Sequence, residues 1–132
     1  MTEQTCKCGV ATTLIFACSG AADVGALTDL AARQLSREHI GRMYCLAGIG
    51  GRIADILRTT TEARSVLAID GCPAACASAC LQQAGLSGFA RLQLADLGLP
   101  KGHAPATPEN IERVVTAAKT LIPADPIAGE TP

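Results

Sequence analysis

Aromatic side chains are scarce in this 132-residue chain, which has no Trp, one Tyr and two Phe. Apolar residues still make up 48% of it, so the core must be built from Leu, Ile, Val and Ala. Such a core suits helices packed on a sheet. The same scarcity removes the rings on which nucleic acid bases stack, and a net charge of −1 with no long run of one sign removes the electrostatic footprint as well. No nucleic acid partner is expected. Long apolar runs are also missing: none approaches the roughly 18 residues of a membrane-spanning helix. The segment VATTLIFAC superficially resembles a lipoprotein signal. Its apolar run is short, however, contains two Thr, and follows MTEQTCKCG, in which one Lys is balanced by one Glu. A cytoplasmic protein with no membrane association is the expectation.

A chain of this length has room for one domain, which buries roughly 65–70% of its unfolded surface. Four strand-helix units follow one another. TTLIFAC, residues 12–18, is a continuous apolar run of the kind buried on both faces of a sheet, and Asp23 to Glu38 places Val24, Leu27, Ala31 and Leu35 on one helical face. RMYCLA reads as a second strand, GIGG as a turn, and Ile53, Ile56 and Leu57 mark a short helix before TTTEA. SVLAID is the third strand, followed by a helix over Ala74–Ala84 that stops at Gly85. Phe89–Ala95 alternates as an edge strand does, and TPEN opens a last helix with Thr107 as cap, Pro108 at the first position and Ile111, Val114, Val115, Ala118 and Leu121 on its apolar face. The reading is a single three-layer α/β domain over residues 10–122, flavodoxin-like or Rossmann-like, with a four-stranded, mainly parallel sheet. Residues 1–9 and 123–132 are flexible tails. The sequence gives neither strand order nor oligomeric state.

Cysteine is what the chain has in excess. There are seven, an odd number that cannot all pair internally, and in a reducing compartment such clusters bind metal or do redox chemistry more often than they form structural disulfides. Cys18 closes the first strand, Cys45 lies near the end of the second, and Cys72 follows the third by two residues. In a parallel sheet these ends share the edge where open α/β folds bind ligands. With Pro73 at a first helical position, Cys72 caps the next helix and Cys76 lies one turn on, on the same face. Cys80 then stands about 12 Å of helix rise beyond Cys72, too far for one ion whose sulfurs sit within about 4 Å of each other. Cys18, Cys45, Cys72 and Cys76 are thus the candidate metal ligands, and nearby helix amino ends favour their thiolate forms. Four thiolates suit zinc, with an iron-sulfur cluster as the alternative.

These residues carry a resemblance. IDGCPAACA, with FACSGAADVG upstream and CLAGIGG between, is similar to the bacterial and archaeal DGC-domain family, named for its Asp-Gly-Cys motif and described as zinc-binding. The likeness spans roughly Leu14 to Leu121 and implies Cys18, Cys45, Cys72 and Cys76 as the four characteristic cysteines, with Asp70, Gly71 and Cys72 as the motif. It implies no reaction.

Several residues read two ways. Asp70 is either an acceptor or extra ligand at the site, or ordinary Asp-Gly turn chemistry. Cys80 either packs or serves as a resolving thiol. Cys6 and Cys8 form a CxC pair that either adds ligands or does nothing, and His103 either reaches the site as a ligand or proton carrier or stays remote. His39, at the opposite end of the sheet, faces solvent. Two enzyme readings are weaker. CSGAADVG lacks the Arg of an oxyanion-binding phosphatase loop, and GIGGRI is neither a full G-x-G-x-x-G nor a phosphate loop. A thiol-disulfide redox enzyme using the same cysteines is the main rival. A zinc-binding protein remains the leading expectation, structural, metal-handling or sensing in role, with a metal donor or acceptor protein as partner.

Overall fold

The computed structural model describes residues 12–123. The expected tails fall outside that range up to residue 9 and from residue 124 on, as do Cys6 and Cys8. Four strands form one all-parallel sheet in the order β2-β1-β3-β4: β1 is Thr13–Ala17, β2 Arg42–Met43, β3 Ser65–Asp70 and β4 Ala90–Gln93. Five helices cover it: α1 Asp23–Arg37, α2 Leu46–Gly50, α3 Ala54–Thr61, α4 Cys76–Gln83 and α5 Pro108–Lys119. The expected α/β fold is the observed one, and this layout is compatible with a flavodoxin-like domain.

The sheet separates two apolar layers because successive side chains of a strand face opposite ways. Ile15, Ala17, Leu67 and Ile69 join Val24, Leu27, Ala31 and Leu35 of α1 and Val114, Val115 and Ala118 of α5. Leu14, Phe16 and Ala68 join Ile49, Ala77 and Leu81 on the other side. Leu27, Phe16 and Ile69 are wholly buried, and each such side chain stabilises the fold by roughly 1.5–3 kcal/mol. The aliphatic core foreseen from composition is thus complete, with Phe16 its one buried aromatic ring.

Several elements differ from their sequence reading. β2 stops at Met43, although the Tyr44 amide still bonds the Ile15 carbonyl at 2.9 Å, and Leu46–Gly50 winds into a one-turn helix. Gly48 lies inside that helix: a Cβ there would stand 2.2 Å from Cδ1 of Ile56, so the glycine lets α3 press against α2. α3 runs on through Thr59, Thr60 and Thr61. β4 ends at Gln93, and Leu94–Leu97 forms a 3-10 turn. The helix after β3 starts at Cys76, two residues later than expected. It ends as expected at Gly85, where Leu86 N–H bonds the Leu81 carbonyl in a Schellman pattern. Thr107 caps α5 by accepting from the Asn110 amide at 3.1 Å, and Leu121 lies beyond that helix, 38% exposed.

Candidate functional site

The strand order reverses between β1 and β3, since the chain leaves β1 for one neighbour and returns to the other side as β3. Their carboxyl ends therefore border the crevice where such folds bind ligands. Cys18 sits at that point: its amide continues the ladder by bonding the Ile69 carbonyl at 3.0 Å. Cys72 follows β3 by two residues, and Cys45 follows β2 by two and immediately precedes α2. Three thiols thus lie after three strand ends, along the expected edge. Cys45 and Cys76 are exposed, whereas Cys18, Cys72 and Cys80 are half-buried.

The Asp-Gly-Cys segment has a local physical logic. Asp70 is 2% exposed, and its carboxylate accepts from the Ala77 amide at 2.7 Å, the Ser78 amide at 3.3 Å and the Ser78 hydroxyl at 2.7 Å. It therefore acts as an acceptor that caps α4 from six residues before that helix begins. Gly71 passes so close to α1 that a Cβ would meet Cγ2 of Val24 at 2.8 Å and its Cβ at 2.9 Å. Cys72 then opens a turn closed by the Ala75 amide on its carbonyl at 2.9 Å, with Pro73 inside the turn and Ala75 in the left-handed region.

This corrects the expectation that Pro73 starts the helix. A proline suits the second position of a turn as well as the first of a helix, because both need a φ near −65°. Cys72 is consequently not the capping residue, and the amino end of α4 is answered by the Asp70 carboxylate rather than by a thiolate. Cys76 and Cys80 are the pair one turn apart.

Cys18 is held from the helix side. Its sulfur lies 3.5 Å from Oγ1 of Thr28, a buried residue whose own hydroxyl donates to the Gly25 carbonyl at 2.8 Å and accepts from the Ser19 amide at 3.2 Å. With the Thr28 proton committed, the Cys18 S–H is the donor in that contact. Ser19 in turn donates to Asp29 at 2.7 Å, and Asp29 accepts from Nε of Arg33 at 2.7 Å. Burial raises and the Arg33 and Ser19 hydrogen bonds lower the tendency of Asp29 to hold a proton, leaving its carboxyl below its ordinary value.

An open groove of about 1100 Å³ runs between α1 and the β2-α2 segment, and it gathers Cys18, Cys45 and Cys80 with Tyr44, Arg33 and Arg37. Neither Cys72 nor Cys76 lines it. Cys18 and Cys80 pack toward the Leu14 and Phe16 layer and Cys72 toward the Val24 layer. Thiolate chemistry fits a thiophilic ion, yet among the described residues no three His, Cys, Asp or Glu side chains are gathered to hold one. His103 is exposed on the loop before α5, and the Gly102 and Ala104 amides on either side of it bond Asp23 at 2.9 Å each. His39 is exposed, as expected.

Sequence reasoning missed Cys80, Arg33 and Arg37 as neighbours of Cys18 and Cys45. The recurrence of Asp29, Arg33 and Arg37 every four residues along α1 was the available signal for the charged wall.

No helix among the described residues is long and apolar enough to cross a membrane. The chain is 36% identical over 90 residues to the "Anaerobic and virulence modulator AnvM" of Pseudomonas aeruginosa, a match covering 68% of this chain and 69% of that protein. No solved structure matches. The model of the DGC domain matches residues 14–118, from β1 into α5, and so takes in the capping Asp70, the close-packed Gly71 and the edge cysteines together. The chain therefore belongs to the DGC-domain family.

Proposed function

We propose that this protein binds zinc through thiolates at the carboxyl edge of its sheet, with Cys18, Cys45, Cys72 and Cys76 as the ligands, and that it senses or carries the metal rather than depending on it for folding. The observation that carries this reading is the placement of three thiols after three adjacent strand ends at the switch point. Two facts bear on the role: the two apolar layers are continuous, and Cys45 and Cys76 are exposed. Solvent-accessible thiols at the edge of a domain with its own core suit reversible binding, whereas a structural zinc site in a small domain holds the fold itself. The relative's name, a modulator with an anaerobic role, is consistent with a thiol site that reports metal or oxidation state.

Elemental analysis of protein purified without oxygen and without an affinity tag, with its absorbance spectrum, tests the proposal. About one zinc per chain and a colourless solution are expected. Iron and sulfide in a brown solution would replace zinc by a cluster, and metal-free protein with reactive thiols would leave the thiol-disulfide reading in its place.

A further inference from the structure

The groove that Cys18 and Cys45 share with Cys80 supports a second chemistry, open to the metal-free protein. We propose that it binds an anionic low-molecular-weight disulfide and forms a mixed disulfide with it at Cys45. The inference does not rest on the zinc reading.

Both oxygens of Asp29 are occupied, one by the Ser19 hydroxyl and the other by Nε of Arg33. That single bond fixes the Arg33 guanidinium while both of its terminal nitrogens stay without a partner among the described residues, and the side chain is 58% exposed. The Arg37 side chain, one turn further along α1, lines the same groove and makes no hydrogen bond or ion pair among the described residues, acting on Glu38 through charge alone. Asp29 lines the groove too, so Arg33 and Arg37 leave it one net positive charge, and their free terminal donors match a ligand with carboxylates. At about 1100 Å³ the groove has room for a small peptide-sized molecule.

The sulfur end of the groove selects the reactive group. Cys18 is half-buried and bonded to Thr28, and Cys80 is half-buried in the Phe16 layer. Cys45 alone of the three is exposed. Its thiolate, having given its proton to solvent, attacks one sulfur of the bound disulfide. The Cys45-ligand S–S bond forms as the ligand's own S–S bond breaks, and the departing half leaves as a thiolate with the bond's electron pair and is protonated by solvent. No oxidant beyond the disulfide is needed.

The test uses the full chain, reduced and stripped of metal with a chelator, so that its outcome is independent of whether zinc binds. Oxidised glutathione is the anionic probe and hydroxyethyl disulfide the neutral one, with sites and rates read by peptide mass mapping. Glutathione is expected to add first at Cys45. The Arg37→Gln change should slow that addition about tenfold, the size of an electrostatic steering effect, while leaving the neutral probe unchanged. Arg33→Gln should act in the same direction. First addition at Cys76, or equal slowing of both probes in Arg37→Gln, would overturn the proposal.

Discussion

The carboxylate of Asp70 and the side chain of Ser78 are bonded at 2.7 Å across the gap between β3 and α4, and the Ser78 amide donates to the same carboxylate. Asp70 thereby does for α4 what a local capping residue does for other helices. Removing it leaves two buried backbone amides and a hydroxyl without their acceptor. The Asp70→Ala variant should lose about 3 kcal/mol, with the urea midpoint falling at unchanged slope. Ser78→Ala keeps both amide bonds and should lose only about 1 kcal/mol.

Gly71 is the other half of that junction. An alanine there places a methyl 2.8 Å from Cγ2 of Val24 and 3.1 Å from its carbonyl carbon, so α1 must move away from β3. Gly71→Ala should cost about 1–3 kcal/mol. Combining it with Val24→Ala removes the Cγ2 contact but leaves the Cβ and backbone contacts, and the double variant should be somewhat more stable than the sum of the two single losses implies. Urea titration of the four proteins measures that coupling.

The elements legible in the sequence are those whose signals are local. The run in β1, the period of Val24, Leu27, Ala31 and Leu35, and the Thr107-Pro108 start of α5 each carry their own physics, and the structure has all three. The start of α4 was not legible, because its cap comes from Asp70 and local rules look for a capping residue immediately before the helix. α2 is five residues long with no side-chain cap, too short to show a period, and it hid inside an apparent strand and turn. The reading of α4 had a chemical consequence: counting turns from Pro73 put Cys80 outside the candidate ligand set, as a packing residue or resolving thiol, while the groove places it with Cys18 and Cys45.

Asp23 ties the loop before α5 to the start of α1. The amides of Gly102 and Ala104 donate to its carboxylate and, against some desolvation, hold its pKa below the ordinary 3.8. A carboxyl with a lowered folded-state value contributes stability above its unfolded value, and the contribution is lost as pH falls through the folded one. Protection of the Gly102 and Ala104 amides, taken relative to intrinsic exchange at each pH, should therefore hold at neutral pH and be lost below pH 3.8 as Asp23 takes up its proton. In Asp23→Asn the loop amides should exchange faster at neutral pH and lose that acid step.

Metal removal separates a handled ion from a structural one. If the apolar layers suffice for folding, chelator-treated protein should keep its far-UV circular dichroism and unfold cooperatively. Its midpoint should fall only by linkage, about 2.7 kcal/mol when free zinc had stood at a hundred times the dissociation constant. A structural site would instead unfold on chelation, as zinc fingers do. Ligand identity follows from the same preparations. Cys72→Ser should lower zinc content far more than Cys80→Ser, because only Cys72 belongs to the proposed set. Equal losses would overturn the argument that separates Cys72 from Cys80, and a loss confined to Cys80→Ser would move the ion into the groove beside Cys18, where Cys80 already lies.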